Sequence, residues 1–201
     1  MISRVARLLV FLLVTPAAAL AAVSQNVADL QRGHYELDKQ HASVIAKVLH
    51  LGVSLYTVRF DNFDASFDYD PGHPESAKVE ASVDPTSLDV YADYGRKFAE
   101  EFLKASQFPK ITFVSTQIQR GAGNAGTMTG DMTFMGVTKP VTFDVTFVGT
   151  GHEPLPLPLG RQAAGFSATT RIKRSDFGST YLDDYVGDEV AIQVEGEFVR
   201  K

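Results

Sequence analysis

The chain has 201 residues, which is typical of a single globular domain. Its 44% hydrophobic and 21% charged content excludes a disordered polymer or a collagen-like repeat. A net charge of −5 lacks the basic surplus of a nucleic-acid-binding protein, so no nucleic-acid partner is expected, and the absence of cysteine excludes disulfide scaffolds and thiolate metal sites.

The N-terminal segment has the order of features found in a secretory signal peptide. Arg4 and Arg7 precede the apolar run 8–14, and an alanine-rich stretch ends in the cleavage-like tripeptide Ala-Leu-Ala at residues 19–21. A membrane anchor is the alternative, but a span needs about 20 apolar residues, and this run is shorter and ends near a proline. We therefore expect removal of residues 1–21 and a periplasmic or secreted mature protein with a net charge of −7, because two arginines of the −5 chain are lost.

After a predicted N-terminal linker, 22–33, the domain 34–201 is dominated by alternation of apolar and polar residues. This period of two is typical of β-strands with one buried face. Apolar residues of opposite parity on either side of Asp61 and Asn62 predict a β-bulge there. The alternating segments are 44–50, 58–60, 63–70, 78–83, 127–134, 141–147, 166–172 and 190–198.

One segment changes to the period of an α-helix. Aromatic residues spaced three or four apart predict an amphipathic helix whose aromatic side packs inward. These residues are Tyr91, Tyr94, Phe98 and Phe102.

Many short strands without helical crossovers predict an all-β fold, either a sandwich or an up-and-down antiparallel β-barrel of about eight strands with one amphipathic helix. An outer-membrane barrel would show the same alternation with its faces exchanged. Its narrow lumen would then hold many carboxylates at a high desolvation cost, so the soluble barrel is favoured.

The interior of such a barrel is wide enough either for packed side chains or for one small ligand. Periodicity alone leaves both arrangements open. Small residues at inward positions favour a hollow interior, and they are Ala46, Ala81, Gly130, Ala168 and Gly196.

Several short motifs occur in an order that resembles the YceI-like family of exported lipid-binding proteins. The resemblance covers residues 35–199, although the helix segment 98–103 lacks the Asp and His that the family usually has there. The motifs are DKQH at 38–41, HLGVS at 50–54, FPKITF at 108–113, GVTKPV at 136–141, GFSA at 165–168, RSDFG at 174–178 and GDEV at 187–190.

The resemblance implies a lipocalin-like barrel that holds one long isoprenoid or other amphiphilic chain, such as a quinone tail. The expected function is that of a periplasmic carrier with no catalytic residue, no metal and no cofactor beyond the bound lipid. Its expected partners are this apolar ligand and, transiently, a membrane, while a homodimer is left open. Two alternatives remain, a lipid-modifying enzyme that acts at the barrel mouth and a stress-related structural module with an incidental cavity.

We predict that inward-facing apolar residues contact the ligand tail, with ordinary core packing as the alternative for each. His50 and Arg174 are the candidates for a polar head, since a guanidinium can bind phosphate through two hydrogen bonds. The alternative is a structural Arg174–Asp176 pair and a histidine bonded to the backbone. The predicted tail contacts are Val48, Phe67, Val83, Phe98, Phe102, Phe113, Met128, Met132, Phe143, Val145, Phe166, Ile192 and Val194.

Enzyme motifs are absent from the sequence. The five histidines show neither the H-x-x-x-H nor the H-E-x-x-H spacing of a metal site, and no G-x-S-x-G elbow occurs. We therefore predict a binding protein and assign no catalytic residue.

Overall fold

The computed structural model describes residues 23–153 and 160–201. The predicted signal peptide, 1–21, lies outside the described residues. The predicted linker, 22–33, contains a 3₁₀ turn at Val27–Asp29. Leu30, which follows this turn, is only 2% exposed. This segment therefore packs on the domain.

Within the described residues the chain forms ten β-strands and one α-helix. No helix among them is both long and apolar enough to cross a membrane. The elements are β1 Gly33–His50, β2 Ser54–Phe60, β3 Phe63–Tyr69, β4 Lys78–Val83, β5 Leu88–Asp89, α1 Gly95–Leu103, β6 Ile111–Arg120, β7 Ala125–Phe134, β8 Val137–His152, β9 Gln162–Lys173 and β10 Val186–Arg200.

Eight of the strands form a closed antiparallel barrel. The ring runs β1, β10, β9, β8, β7, β6, β4, β3 and back to β1. The two remaining strands lie outside the ring, with β2 paired to the C-terminal half of β1 and β5 paired to β2. The predicted all-β barrel of about eight strands with one helix is confirmed.

The predicted irregularity at Asp61 and Asn62 is a complete break between β2 and β3. The Asp61 N–H donates to the Ser87 carbonyl (3.1 Å), and the Asn62 N–H donates to Ser87 Oγ (2.9 Å). On the facing strand, β1 changes partner from β3 to β2. A change of apolar parity thus marks a change of strand partner, not a bulge within one strand.

Helix α1 packs beside this break through Ala99, which is almost fully buried against Phe60 and Leu88. A Cβ on Gly95 would collide with the Leu88 carbonyl, so a glycine is needed where the helix begins.

Tyr91 was expected on the inward side of the helix, but this prediction is wrong. Tyr91 precedes the helix and is 86% exposed, and Tyr94, which also precedes it, is 53% exposed. Of the four aromatic residues, Phe98 and Phe102 line the barrel interior.

The two ends of the barrel differ in what covers them. At one end, here called the α1 end, lie the β1–β2 turn, α1 and the segment 174–185. At the opposite end lie the 3₁₀ turn Val27–Asp29 and the β6–β7 hairpin. Because β1 spans from one end to the other, it connects the two sets of loops.

Candidate functional site

The barrel interior is hollow. It contains a cavity of about 720 Å³, in the upper part of the ~300–1,000 Å³ range of small-molecule sites. The lining extends from Leu30 and Tyr69 near the opposite end to Tyr181 and Tyr185 at the α1 end. Of the two arrangements that periodicity left open, the structure therefore has the hollow one.

All fifteen residues predicted for the ligand site line this one cavity. Sequence reasoning omitted Val44 and Phe198, although they share the inward parity of their strands. It also omitted Leu37, which has the opposite parity because β1 shifts register between Leu37 and Ala42. The fifteen are Val48, His50, Phe67, Val83, Phe98, Phe102, Phe113, Met128, Met132, Phe143, Val145, Phe166, Arg174, Ile192 and Val194.

Small side chains create the space only in part. Ala46, Ala81 and Ala168 line the cavity as expected. Gly130 and Gly196 act differently, because a Cβ on either would collide with a phenyl ring, that of Phe113 or Phe198. Both glycines thus admit core rings. Gly196 also lines the cavity as expected, whereas Gly130 does not line it, so the expectation is wrong for Gly130.

An aromatic cluster packs inside the barrel towards the opposite end, and several of its rings, such as Phe67 and Phe198, line the cavity. The rings of Tyr35 and Phe67 stack with centroids 4.8 Å apart. The buried Tyr35 hydroxyl lies 2.7 Å from Gln162 Oε1 and 2.8 Å from the Gln31 carbonyl, either of which it can donate to. Burial raises the pKa of Tyr35 to about 12, so the hydroxyl stays protonated. This network fixes the N-terminal segment over that end.

At the α1 end, the aromatic rings of Phe98, Phe102 and Tyr181 line the cavity, and the exposed Tyr94 stacks on Phe98 outside this lining. Ring centroids lie 5.8 Å apart for Tyr94 and Phe98, 5.6 Å for Phe98 and Phe102, and 5.0 Å for Phe102 and Tyr181. Aromatic pairs at these separations are mutually stabilising. The aromatic side of α1 therefore forms one wall of the cavity mouth.

Polar side chains also lie at this mouth. Lys97 and Glu101 line the cavity with their charged atoms 3.8 Å apart. His50 is exposed, with its ring 6.1 Å from that of Tyr56. Its imidazole makes no hydrogen bond within ranges 23–153 and 160–201, so the backbone-bonded alternative is wrong. The sequence analysis did not select Lys97 and Glu101, although their i, i+4 spacing puts them together beside the aromatic residues.

Arg174 is buried, with 5% exposure, and its guanidinium is bound by the backbone. Its partner is not Asp176, which pairs with Lys139 (Nζ to Oδ1 3.5 Å), so the predicted structural pair is wrong. Four of its five N–H groups are used. They donate to the carbonyls of Gly187 (3.0 Å), Ser179 (2.9 Å), Tyr181 (3.0 Å) and Val186 (2.8 Å).

One group of metal-ligating side chains comes together among the described residues. Ligand atoms of Asp38, His41 and Glu197 lie within 4.8 Å of one another. The group sits where β1 shifts register against β10, between Leu37 and Ala42. Asp38 accepts hydrogen bonds from the Gln40 N–H (3.0 Å) and from His41 Nδ1 (2.9 Å), so its carboxylate closes the irregular turn. These hydrogen bonds give Asp38 and His41 a structural role in this turn.

The same contacts predict a pH dependence of stability. The hydrogen bond from His41 lowers the pKa of Asp38 below its ordinary 3.8 and raises the pKa of His41 above its ordinary 6.5. Because the pKa of His41 is raised in the folded protein, its protonated form stabilises the fold fully below pH 6.5. This stabilisation is lost as pH rises through the raised pKa. A lowered aspartate pKa stabilises above pH 3.8 and loses its effect as pH falls.

We therefore expect His41→Ala to reduce the free energy of unfolding most between pH 4 and 6.5, and progressively less above. Urea unfolding at several pH values measures this difference. His152→Ala, at an exposed histidine at the end of β8, serves as the control. A deficit of His41→Ala that is constant from pH 5 to pH 9 would contradict the prediction.

The cavity offers hydrophobic contact along its length, with charged groups near its mouth. Residues 35–198 match the profile of the YceI-like domain. A protein of Pseudomonas putida named UPF0312 protein is 37% identical over 166 residues, covering 81% of this chain and 84% of that protein.

Solved structures of other proteins have the same fold as this chain. BcnA of Burkholderia cenocepacia is 25% identical, with a TM-score of 0.66 over 82% of this chain and 99% of that one. A polyisoprenoid binding domain from Saccharophagus degradans, implicated in plant cell wall breakdown, shares the fold (12% identity, TM-score 0.59, 83% of this chain and 98% of that one). On the match to its domain profile and to these relatives, the chain belongs to the YceI-like family.

Proposed function

We propose that the protein holds one long apolar chain of the isoprenoid type inside its barrel and acts as a periplasmic carrier or scavenger without covalent chemistry. The observation that carries the proposal is the cavity of about 720 Å³ that runs along the barrel and is lined mainly by aliphatic and phenyl side chains. The S. degradans domain, described as polyisoprenoid-binding, has the same fold and adds support. The predicted signal peptide supports export.

The energetics favour an apolar tail as the main source of affinity. Burying one methylene group contributes about 0.8 kcal/mol, so some 20 carbons contribute on the order of 16 kcal/mol before the loss of chain and rotational freedom. The methionines Met128 and Met132 adapt their shape to a flexible ligand. Affinity therefore depends on tail length more than on any one polar contact.

The polar head of the ligand is proposed to lie at the α1 end. His50, Lys97 and Glu101 line the cavity there and provide hydrogen-bond donors and acceptors. Arg174 keeps at most one N–H free for a ligand, because the other four bind carbonyls. A quinone ring or another compact polar group fits this arrangement of donors and acceptors.

Identification of the co-purified ligand tests the proposal. The mature protein is purified from its own host, and its mass is measured under native and then denaturing conditions. We expect the release of one apolar molecule close to one per protein. Repeated recovery of empty protein would contradict the carrier function. Lipid turnover that disappears in His50→Ala, while lipid binding persists, would establish the alternative of a lipid-modifying enzyme.

A further inference from the structure

The α1 end has a surface of exposed apolar side chains beside the cavity mouth. We call it the apolar rim and define it as Leu49, Leu51, Val53, Leu55, Leu182 and Tyr185. Val53 is 85% and Leu55 is 65% exposed. The β1–β2 turn and the 174–185 segment are joined here, since the Leu51 N–H donates to the Tyr185 carbonyl (2.7 Å). The rim is therefore one surface built from two loops.

The rim is continuous with the cavity. Leu182 and Tyr185 line the cavity and are also exposed at the surface. His50 lines the cavity from β1, between the outward-facing Leu49 and Leu51. An apolar molecule that leaves the mouth thus meets further apolar surface before it meets water.

Two leucines of the rim adopt a backbone conformation that leucine disfavours. Leu51 has φ +54° and Leu182 has φ +53°. Glycine, asparagine and aspartate adopt this conformation at less cost, and all three are common at exposed turns. Neither solvent exposure nor backbone preference accounts for leucine here, and strained positions of this kind are concentrated at functional sites.

Charge distinguishes the rim from the rest of the surface. The run 49–55 contains no Asp, Glu, Lys or Arg. Behind it on the outer face of the hairpin stand Lys47 and Arg59, and Asp183 and Asp184 lie in the adjoining loop. The border thus has both signs of charge, as expected for a surface that meets zwitterionic headgroups and does not depend on anionic ones.

The opposite end of the barrel has a different surface. Exposed ion pairs lie there, with Arg32 Nη2 2.7 Å from Asp70 Oδ1 and Lys201 Nζ 2.8 Å from Glu36 Oε2. Such a surface favours water over hydrocarbon. The molecule is therefore polarised along the barrel axis, with its apolar end at the α1 side.

We propose that the apolar rim docks the α1 end on a lipid bilayer, so that the cavity mouth faces the membrane. The hairpin tip inserts Leu51 and Val53 below the headgroups, and Tyr185 lies at the interface, where tyrosine is favoured. This proposal rests on the proposed function, since a lipid-binding cavity needs a route for its ligand to and from a bilayer. Binding strength follows the apolar area inserted.

Flotation with phosphatidylcholine vesicles tests the proposal. We expect the mature protein to float with the vesicles, and the double variant Leu51→Asp/Val53→Asp to bind at least about tenfold more weakly. The matched control is Val114→Asp/Val148→Asp, which places the same two charges at exposed positions on the barrel wall and should bind like the original protein. Because the interaction is apolar, about 0.5 M NaCl should change binding less than about twofold.

Two results would overturn the proposal. One is failure of the unmodified protein to float, which includes the case of a dimer that Leu51→Asp/Val53→Asp converts to a monomer. The other is an equal loss of binding in both double variants. The lipid content of each purified variant is measured in parallel. Vesicle binding by a protein that holds no lipid contradicts only the carrier function, whereas a lipid-filled protein that does not float contradicts only the docking.

Discussion

Replacing Arg174 with methionine should lower the free energy of unfolding by about 3 kcal/mol, one of the largest effects expected for a single substitution in this chain. Methionine preserves much of the apolar stem but removes all N–H donors. The carbonyls of Ser179, Val186 and Gly187 would then lose their partner in a poorly solvated part of the α1 end. Each unsatisfied buried acceptor costs about 1–3 kcal/mol, and partial access to water reduces the sum.

Urea unfolding measures the effect, with Arg171→Met as the matched control. Arg171 is exposed and pairs with Glu189 on the barrel surface, so its loss should change stability by less than about 1 kcal/mol. Arg174→Lys should recover little, because one ammonium cannot reproduce the spread of donors of a planar guanidinium. An Arg174→Met protein of unchanged stability that no longer retains lipid would instead show that this side chain binds the ligand head.

The barrel was predictable from sequence because alternation fixes which face of each strand is buried. Val190, Ile192 and Val194 face the interior and pair with Val48, Ala46 and Val44 of β1, with both strands in the same parity. A shift of the strand pairing by one residue would bury charged side chains, so the register is strongly specified.

The extra strands were less visible in the sequence. β5 has only two residues, too few to show a period. β2 was taken together with β3, because a change of parity has the same appearance whether a strand bulges or changes partner. Only the long-range pairing of β1 with both strands distinguishes the two cases.

The cavity walls followed from the same parity, whereas the mouth did not. Tyr181, Leu182 and Tyr185 lie in a segment without regular structure, so no period identifies them. Their position depends on long-range contacts such as that between Leu51 and Tyr185. The hydrogen-bond partners of Arg174 could not be predicted either, because they are backbone carbonyls and the sequence pattern reports only on side chains.

The second large effect is expected from filling the cavity. Ala168→Phe should reduce the amount of co-purified lipid at least about tenfold while leaving the protein folded. Ala168 lies in the middle of β9, lines the cavity and pairs with Val145 on one side and Val194 on the other. A phenyl ring at this position projects into the space that the ligand tail would occupy, so ligand and ring compete for the same volume.

Thr169→Phe is the matched control, since Thr169 is the next residue of the strand and its side chain is exposed on the outer face. It adds the same ring without entering the cavity and should keep its lipid. Overpacking a filled core costs about 1–3 kcal/mol, but a ring that enters existing space gains burial, so Ala168→Phe should stay within about 2 kcal/mol of the original stability.

Ala46→Phe gives an independent test from β1, because Ala46 also lines the cavity but belongs to a different strand. Loss of lipid in both inward variants, with retention in Thr169→Phe, would locate the ligand inside the barrel. Full lipid content in folded Ala168→Phe and Ala46→Phe proteins would show that the tail binds elsewhere, and the apolar interior would then be a structural feature of the barrel.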